Sequence, residues 1–123
     1  MGGSVSSKDR KLFQAINDNN IEQLRLMLAE DADLSRRALM GGATTPLCRA
    51  VYTDHRELVL LFLENGADVD GKALKTGRTP LMWAAFRDNL AMCQLLISKG
   101  ADISQVDNEG LNCFDISVIR LQY

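Results

Sequence analysis

The chain repeats itself. Residues 45–70 read TPLCRAVYTDHRELVLLFLENGADVD and residues 79–104 read TPLMWAAFRDNLAMCQLLISKGADIS. The two align without a gap at an offset of 34, with nine of 26 positions identical. Most other pairs are alike in kind: Tyr52 with Phe86, Leu58 with Met92, Val69 with Ile103. An earlier segment fits at an offset of 35, where Leu12, Ala15, Leu28, Ala32, Asp33 and Leu34 fall on Leu47, Ala50, Leu63, Ala67, Asp68 and Val69. A later one, Gly110 to Phe114, falls on Gly77 to Leu81 at an offset of 33. A period of this length implies a stack of small units, none able to bury its apolar face alone.

Local chemistry marks the helices within each unit. Thr45-Pro46 and Thr79-Pro80 are helix starts: Thr accepts from the free N–H groups, and Pro is tolerated in the first turn. Gly66 and Gly100 follow the second helices, where a left-handed residue is wanted. Leu58, Leu61, Phe62 and Met92, Leu95, Leu96 recur at three- to four-residue spacing, giving each second helix one apolar stripe.

Gly77-Arg78-Thr79-Pro80-Leu81-Met82-Trp83-Ala84-Ala85, followed by Lys99-Gly100-Ala101-Asp102-Ile103, resembles the ankyrin repeat pattern. The resemblance runs from about residue 9 to 123. It implies an all-α fold, an ankyrin-repeat solenoid of stacked antiparallel helix pairs with β-turn/hairpin fingers. The expected organisation is a flexible N-terminal segment (1–8) and a repeat domain (9–123). The units are 9–42, 43–76, 77–109 and a partial 110–123. Some positions depart from the family. Its TPLH histidine is Cys48, Met82 and Asp115 here, so that side-chain hydrogen bond is expected to be missing. Its interhelical glycine is Asn19, Asp54 and Asp88, which tolerate a left-handed turn next best. Asp31 replaces a C-capping glycine, and the long 35–43 connection predicts an irregular first finger.

Composition narrows the function. Net charge is −2, with no strong global field to attract nucleic acid. The longest apolar run, Leu58 to Leu63, is far below the roughly 18 residues of a membrane span. Three widely spaced cysteines, Cys48, Cys93 and Cys113, form no zinc pattern and read as reduced apolar fillers in the cytoplasm or nucleus. No cofactor, metal or catalytic site is expected. His55 is the only histidine, at the start of a second helix. Asp33, Asp68 and Asp102 recur at equivalent turns, where turn chemistry accounts for them.

Function must therefore be sought on the surface. The resemblance implies that a protein or peptide partner is held by the finger tips and the exposed face of the first helices. The candidate partner-binding residues are Arg49, Tyr52, Thr53, Trp83, Phe86, Arg87 and Arg120 on or beside the first helices. Lys72, Lys75 and Arg78 join them from the fingers. Tyr52, Phe86 and Ile119 would form an apolar track. Around it fall Arg36, Arg37, Arg49, Lys72, Lys75, Arg78, Arg87 and Arg120, eight of the 14 basic residues. An acidic or phosphorylated segment with apolar anchors suits such a groove. The competing reading is a solvated mixed-charge surface, since Asp68, Asp70, Asp107 and Glu109 lie in the same fingers.

Met1-Gly2-Gly3-Ser4-Val5-Ser6 fits the N-myristoylation pattern, with Gly2 as acceptor. A single acyl chain anchors only weakly, so the expected membrane association is marginal. The alternative is a plain flexible start or an expression scar. Phe114, Ile116, Val118, Ile119 and Leu121 begin a helix pair without its second helix. This predicts a longer signalling or scaffold protein, or self-association through the C-terminal face. A second class of function is the recognition arm of a multidomain enzyme, since ankyrin-containing families include acyltransferases, kinases and ubiquitin ligases.

Overall fold

The computed structural model describes residues 6–121; Gly2, the acceptor of the acylation pattern, lies outside them. Seven α-helices are present among the described residues: α1 Ser7–Asn17, α2 Ile21–Glu30, α3 Pro46–Tyr52, α4 Arg56–Glu64, α5 Pro80–Phe86, α6 Leu90–Ser98 and α7 Cys113–Leu121. They form three antiparallel pairs followed by α7. The first helices pack in series, α1 on α3, α3 on α5 and α5 on α7, while the second helices approach one another less. The class is all-α, as the repeat implied.

The helix starts and turns follow from the residues named above. Thr45 Oγ1 accepts from Cys48 N at 3.1 Å and Thr79 Oγ1 from Met82 N at 3.3 Å, each with Pro in the first turn. Asn19, Asp54 and Asp88 all take positive φ, between 53° and 60°. Each turn is closed by the same bond one repeat apart: Asn20 N to Ala15 O, His55 N to Ala50 O and Asn89 N to Ala84 O, at 2.9–3.0 Å. Such bonds satisfy carbonyls that a helix end otherwise leaves open.

Two departures resolve differently from expectation. The missing histidine bond has substitutes. Thr79 N–H donates to Met82 Sδ at 3.4 Å, and Asn112 N–H to Asp115 Oδ2 at 3.0 Å, both closing a reciprocal cap. Asp31 is not a left-handed C-cap at all. Its φ is −150°, and its carboxylate instead accepts from Asp33 N to start a short 3-10 turn, Ala32–Arg36.

The core is aliphatic and runs the length of the stack. Leu12, Ala15 and Ile16 on α1, then Leu47, Ala50 and Val51 on α3, then Leu81, Ala84 and Ala85 on α5, are all buried. Leu24, Leu58, Phe62, Met92 and Leu96 bury the second helices behind them. Small residues on the first helices let neighbouring units approach closely.

The fingers are stitched in the same rhythm. Lys75 N–H donates to Gly42 O at 2.9 Å, and Asn108 N–H to Thr76 O at 3.0 Å. Among the described residues no strand forms; one antiparallel bridge joins Leu39 to Thr44. The first finger is irregular as expected. It carries a second 3-10 turn, Met40–Gly42, with Met40 at φ 54°.

Candidate functional site

Aromatic side chains are scarce and unevenly placed. Among the described residues Phe62 is the one aromatic fully buried in the core. Phe13 of α1, Tyr52 of α3, and Trp83 and Phe86 of α5 are half-buried on the first-helix face. The reason is local. Once Thr-Pro sets the start of α3 and α5, positions 49 and 52, and 83 and 86, share one face at i, i+3 spacing. That face lies away from Leu47, Ala50 and Val51, which the core takes.

The rings form a connected cluster. Tyr52 and Trp83 meet edge-to-face with centroids 5.7 Å apart, and Trp83 and Phe86 likewise at 6.0 Å. Arginines interleave with them. The Arg49 guanidinium lies 5.0 Å from the Phe13 centroid and 5.6 Å from that of Tyr52. Arg78 lies 4.9 Å from Trp83 and 5.7 Å from Phe86, and Arg87 lies 4.8 Å from Tyr52. Each such contact contributes about 0.5–1 kcal/mol at an exposed site. More usefully, it holds a planar donor fork in place before any ligand arrives.

The basic residues differ in how they are held. Arg49 Nε donates to Asn17 Oδ1 at 2.8 Å. Arg78 Nε faces Asp107 Oδ2 at 3.7 Å; that carboxylate is nearly buried and also accepts from Glu109 N and Leu111 N. Lys72 Nζ donates to Val106 O of the next finger at 2.9 Å. Arg37 pairs with Asp9, and Arg36 Nε donates to Gly66 O. Lys75, Arg87 and Arg120 are exposed and make no ion pair among the described residues. Thr53 is placed differently from the rest. Its hydroxyl turns back to Arg49 O at 2.8 Å.

A cleft of about 320 Å3 opens beside this cluster, between the first finger and the first helices. Its walls include Phe13, Met40, Arg49, Tyr52 and Trp83. Sequence reasoning missed Phe13, Met40 and Leu74. Phe13 occupies the position of Cys48 and Met82 at the repeat offset, where both later residues are buried. Met40 and Leu74 stand at finger tips, 55% and 73% exposed. The paired offset of 34 between them, beside buried Leu39 and Ala73, is the signal that could have found them.

No group of three or more His, Cys, Asp or Glu stands together as a metal site among the described residues, and no described helix is long and apolar enough to cross a membrane. All three thiols are free. Burial pushes Cys48 up to about 11 from the ordinary 9.0, and raises Cys93 and Cys113 as well. The folded Cys48 thiol thus stays protonated where the unfolded one ionises. Its contribution is complete below pH 9 and is lost as pH rises towards 11. The expected result is a loss of up to about 3 kcal/mol across that window. Urea midpoints in alkaline buffers check it, and Cys48→Ala should flatten the profile.

A family model described as ankyrin repeats (3 copies) matches residues 12–107. The chain belongs to the ankyrin repeat family. Relatives include mouse ankyrin repeat and SAM domain-containing protein 6, 30% identical over 108 residues, 88% of this chain and 12% of that protein. The mouse B-cell lymphoma 3 protein homolog is 47% identical over 60 residues, 49% of this chain and 13% of that protein. The probable E3 ubiquitin-protein ligase XBOS33 of Oryza sativa subsp. japonica is 30% identical over 109 residues, 87% of this chain and 21% of that protein. The chain thus spans only 12–21% of the length of these relatives. Ankyrin repeats are protein–protein interaction modules, and the first-helix face described above is the side on which this ankyrin domain carries its aromatic cluster.

Proposed function

We propose that this domain is a non-catalytic binding module that holds an acidic or phosphorylated protein segment in the groove formed by the first helices and the finger tips. The observation that carries the reading is the interleaving of Arg49, Arg78 and Arg87 with Phe13, Tyr52, Trp83 and Phe86. Of these, Arg87 makes no ion pair among the described residues, while Arg49 and Arg78 commit Nε to Asn17 and Asp107 and keep their terminal nitrogens for carboxylate or phosphate; the rings supply apolar contact. Lys72, Lys75 and Arg120 extend the basic surface along the fingers and α7. Thr53 joins this surface at the end of α3, with its hydroxyl already donated to Arg49 O.

The test is a charge reversal that spares Arg78 and its nearly buried partner Asp107. Peptides selected from a displayed random library are titrated against the wild type and a Lys75→Glu, Arg87→Glu, Arg120→Glu variant. Selected peptides should be acidic, and the variant should bind them at least about tenfold more weakly, with a shallower salt dependence. Unchanged affinity and salt dependence would favour the mixed-charge surface instead.

The names of two relatives favour a second, compatible reading. Rice XBOS33 and Arabidopsis thaliana XBAT33 are named as E3 ubiquitin-protein ligases, each 30% identical to this chain. Within a longer protein the domain would then select the substrate of such an enzyme. Two further proposals concern its surroundings. Acylation of Gly2 would add weak membrane attachment, and intact mass after co-expression with the acyltransferase checks it. Self-association through Phe114, Val118 and Leu121, which are 62%, 56% and 76% exposed, is checked by light scattering across concentration.

A further inference from the structure

Phe13 and Met40 separate two clefts, of about 320 and 210 Å3. The larger lies at the lower end of the size range of ligand pockets. Met40 is the unusual wall. Its backbone sits at φ 54°, a conformation that an unbranched side chain adopts at a cost, and the residue is 55% exposed. The fold does not need its thioether for packing, because the neighbouring Leu39, 2% exposed, fills the core beneath the finger. Methionine adapts its shape to whatever it covers, which suits a binding surface.

The one charged residue that lines this apolar cleft is basic. Arg49 lines it and Arg87 lies over the Tyr52 ring. Lys75 Nζ would be 3.7 Å from a Cβ placed at Gly41, next to Met40. The acid beside the smaller cleft, Asp9, is already paired with Arg37. An apolar slot with a basic rim complements a bulky apolar side chain flanked by carboxylates.

We propose that the larger cleft seats one bulky apolar side chain of an acidic partner segment. The side chain lies between Met40 of the first finger and the rings of Phe13, Tyr52 and Trp83, with Arg49 and Arg87 facing the flanking carboxylates. This rests on the basic-groove reading and adds to it the place where the partner is anchored. It also assigns specificity to the irregular first finger, since the second finger carries Leu74 and the third Asn108 at the matching tip.

The chain has one tryptophan, so the Trp83 indole N–H gives a unique nuclear magnetic resonance signal beside the cleft. The probes are three synthetic nine-residue peptides. One is acidic with a central leucine, one is acidic with a central glycine, and one has the central leucine with serines for the acids. The leucine acidic peptide should shift the Trp83 indole and Met40 methyl signals. The central glycine should weaken binding about tenfold, the scale of one buried aliphatic side chain. Met40→Gly suits the local backbone and should leave the melting temperature within a few degrees. It should reduce the leucine peptide to the affinity of the glycine peptide.

Equal binding of the leucine and glycine acidic peptides, or wild-type affinity in Met40→Gly, overturns the anchor site and leaves the basic groove standing. Equal binding of the acidic and serine peptides overturns the basic groove, and with it the acidic identity of the partner. No shift with any of the three overturns both.

Discussion

Gly77→Ala is expected to destabilise the domain by about 2–5 kcal/mol, from a left-handed backbone combined with a steric overlap. Gly77 has φ 69° and is buried against the third finger. A Cβ there would overlap Asn108 Oδ1 and lie 2.8 Å from Asn108 N. Neither neighbour can easily yield. Asn108 N–H donates to Thr76 O, and its amide donates to Lys75 O, so the clash falls on the bonds that join two fingers. Gly100→Ala is the control. Its φ is 94° but nothing stands within 4 Å of a new Cβ, so only the backbone cost of about 1–2 kcal/mol applies. Urea denaturation followed by circular dichroism measures both. Equal losses in the two variants would mean that the finger contact is not tight.

Phe62→Ala should cost about 3–5 kcal/mol, the usual range for emptying an aromatic site in a core. Phe62 is fully buried on α4, in the middle helix pair. Repeat stacks are stabilised by each unit and by its contacts with its neighbours. A cavity in the central pair therefore weakens its seams on both sides. Such a loss is a large share of the roughly 5–15 kcal/mol that holds a typical domain. The measurement is the shift in urea midpoint, with the slope compared to the wild type. A loss under about 1 kcal/mol would show that the seam collapses around the gap.

Much of the fold could be read from the chain because its signals are local. Thr45-Pro46 and Thr79-Pro80 specify helix starts through bonds that span three residues. Asn19, Asp54 and Asp88 specify turns through their own backbone preferences. The repeat offset then multiplies each local signal, so that a cap seen once is tested again 34 residues later. Asp31 shows where this reasoning stops. Its place in the repeat suggested a C-cap, but its carboxylate found Asp33 N nearby and turned the chain into a 3-10 helix instead. Met82 and Asp115 show the converse, because sulfur and carboxylate restore a bond that the pattern alone counted as lost.

The candidate site was only partly legible. Tyr52, Trp83, Phe86, Arg49 and Arg87 could be placed on one face by helical spacing. The polar partners of Arg78 and Arg49 could not, because those contacts lie 29 and 32 residues apart in the chain. Arg78 reaches Asp107 across two fingers, and Arg49 reaches Asn17 across two first helices. Thr53 has the right position on the helix but spends its hydroxyl on Arg49 O.

The sequence by itself determined the unit, its helices, its caps and the apolar stripe that makes the units stack, since these depend on neighbours within one repeat. Only the tertiary structure decided which basic groups are held and which stand exposed, and that Phe13 and Met40 meet Tyr52 and Trp83 around one cleft. Those outcomes depend on how three units and their fingers are spaced and curved. That geometry is set by the packing of small residues such as Ala50, Ala84 and Ala85 between consecutive first helices.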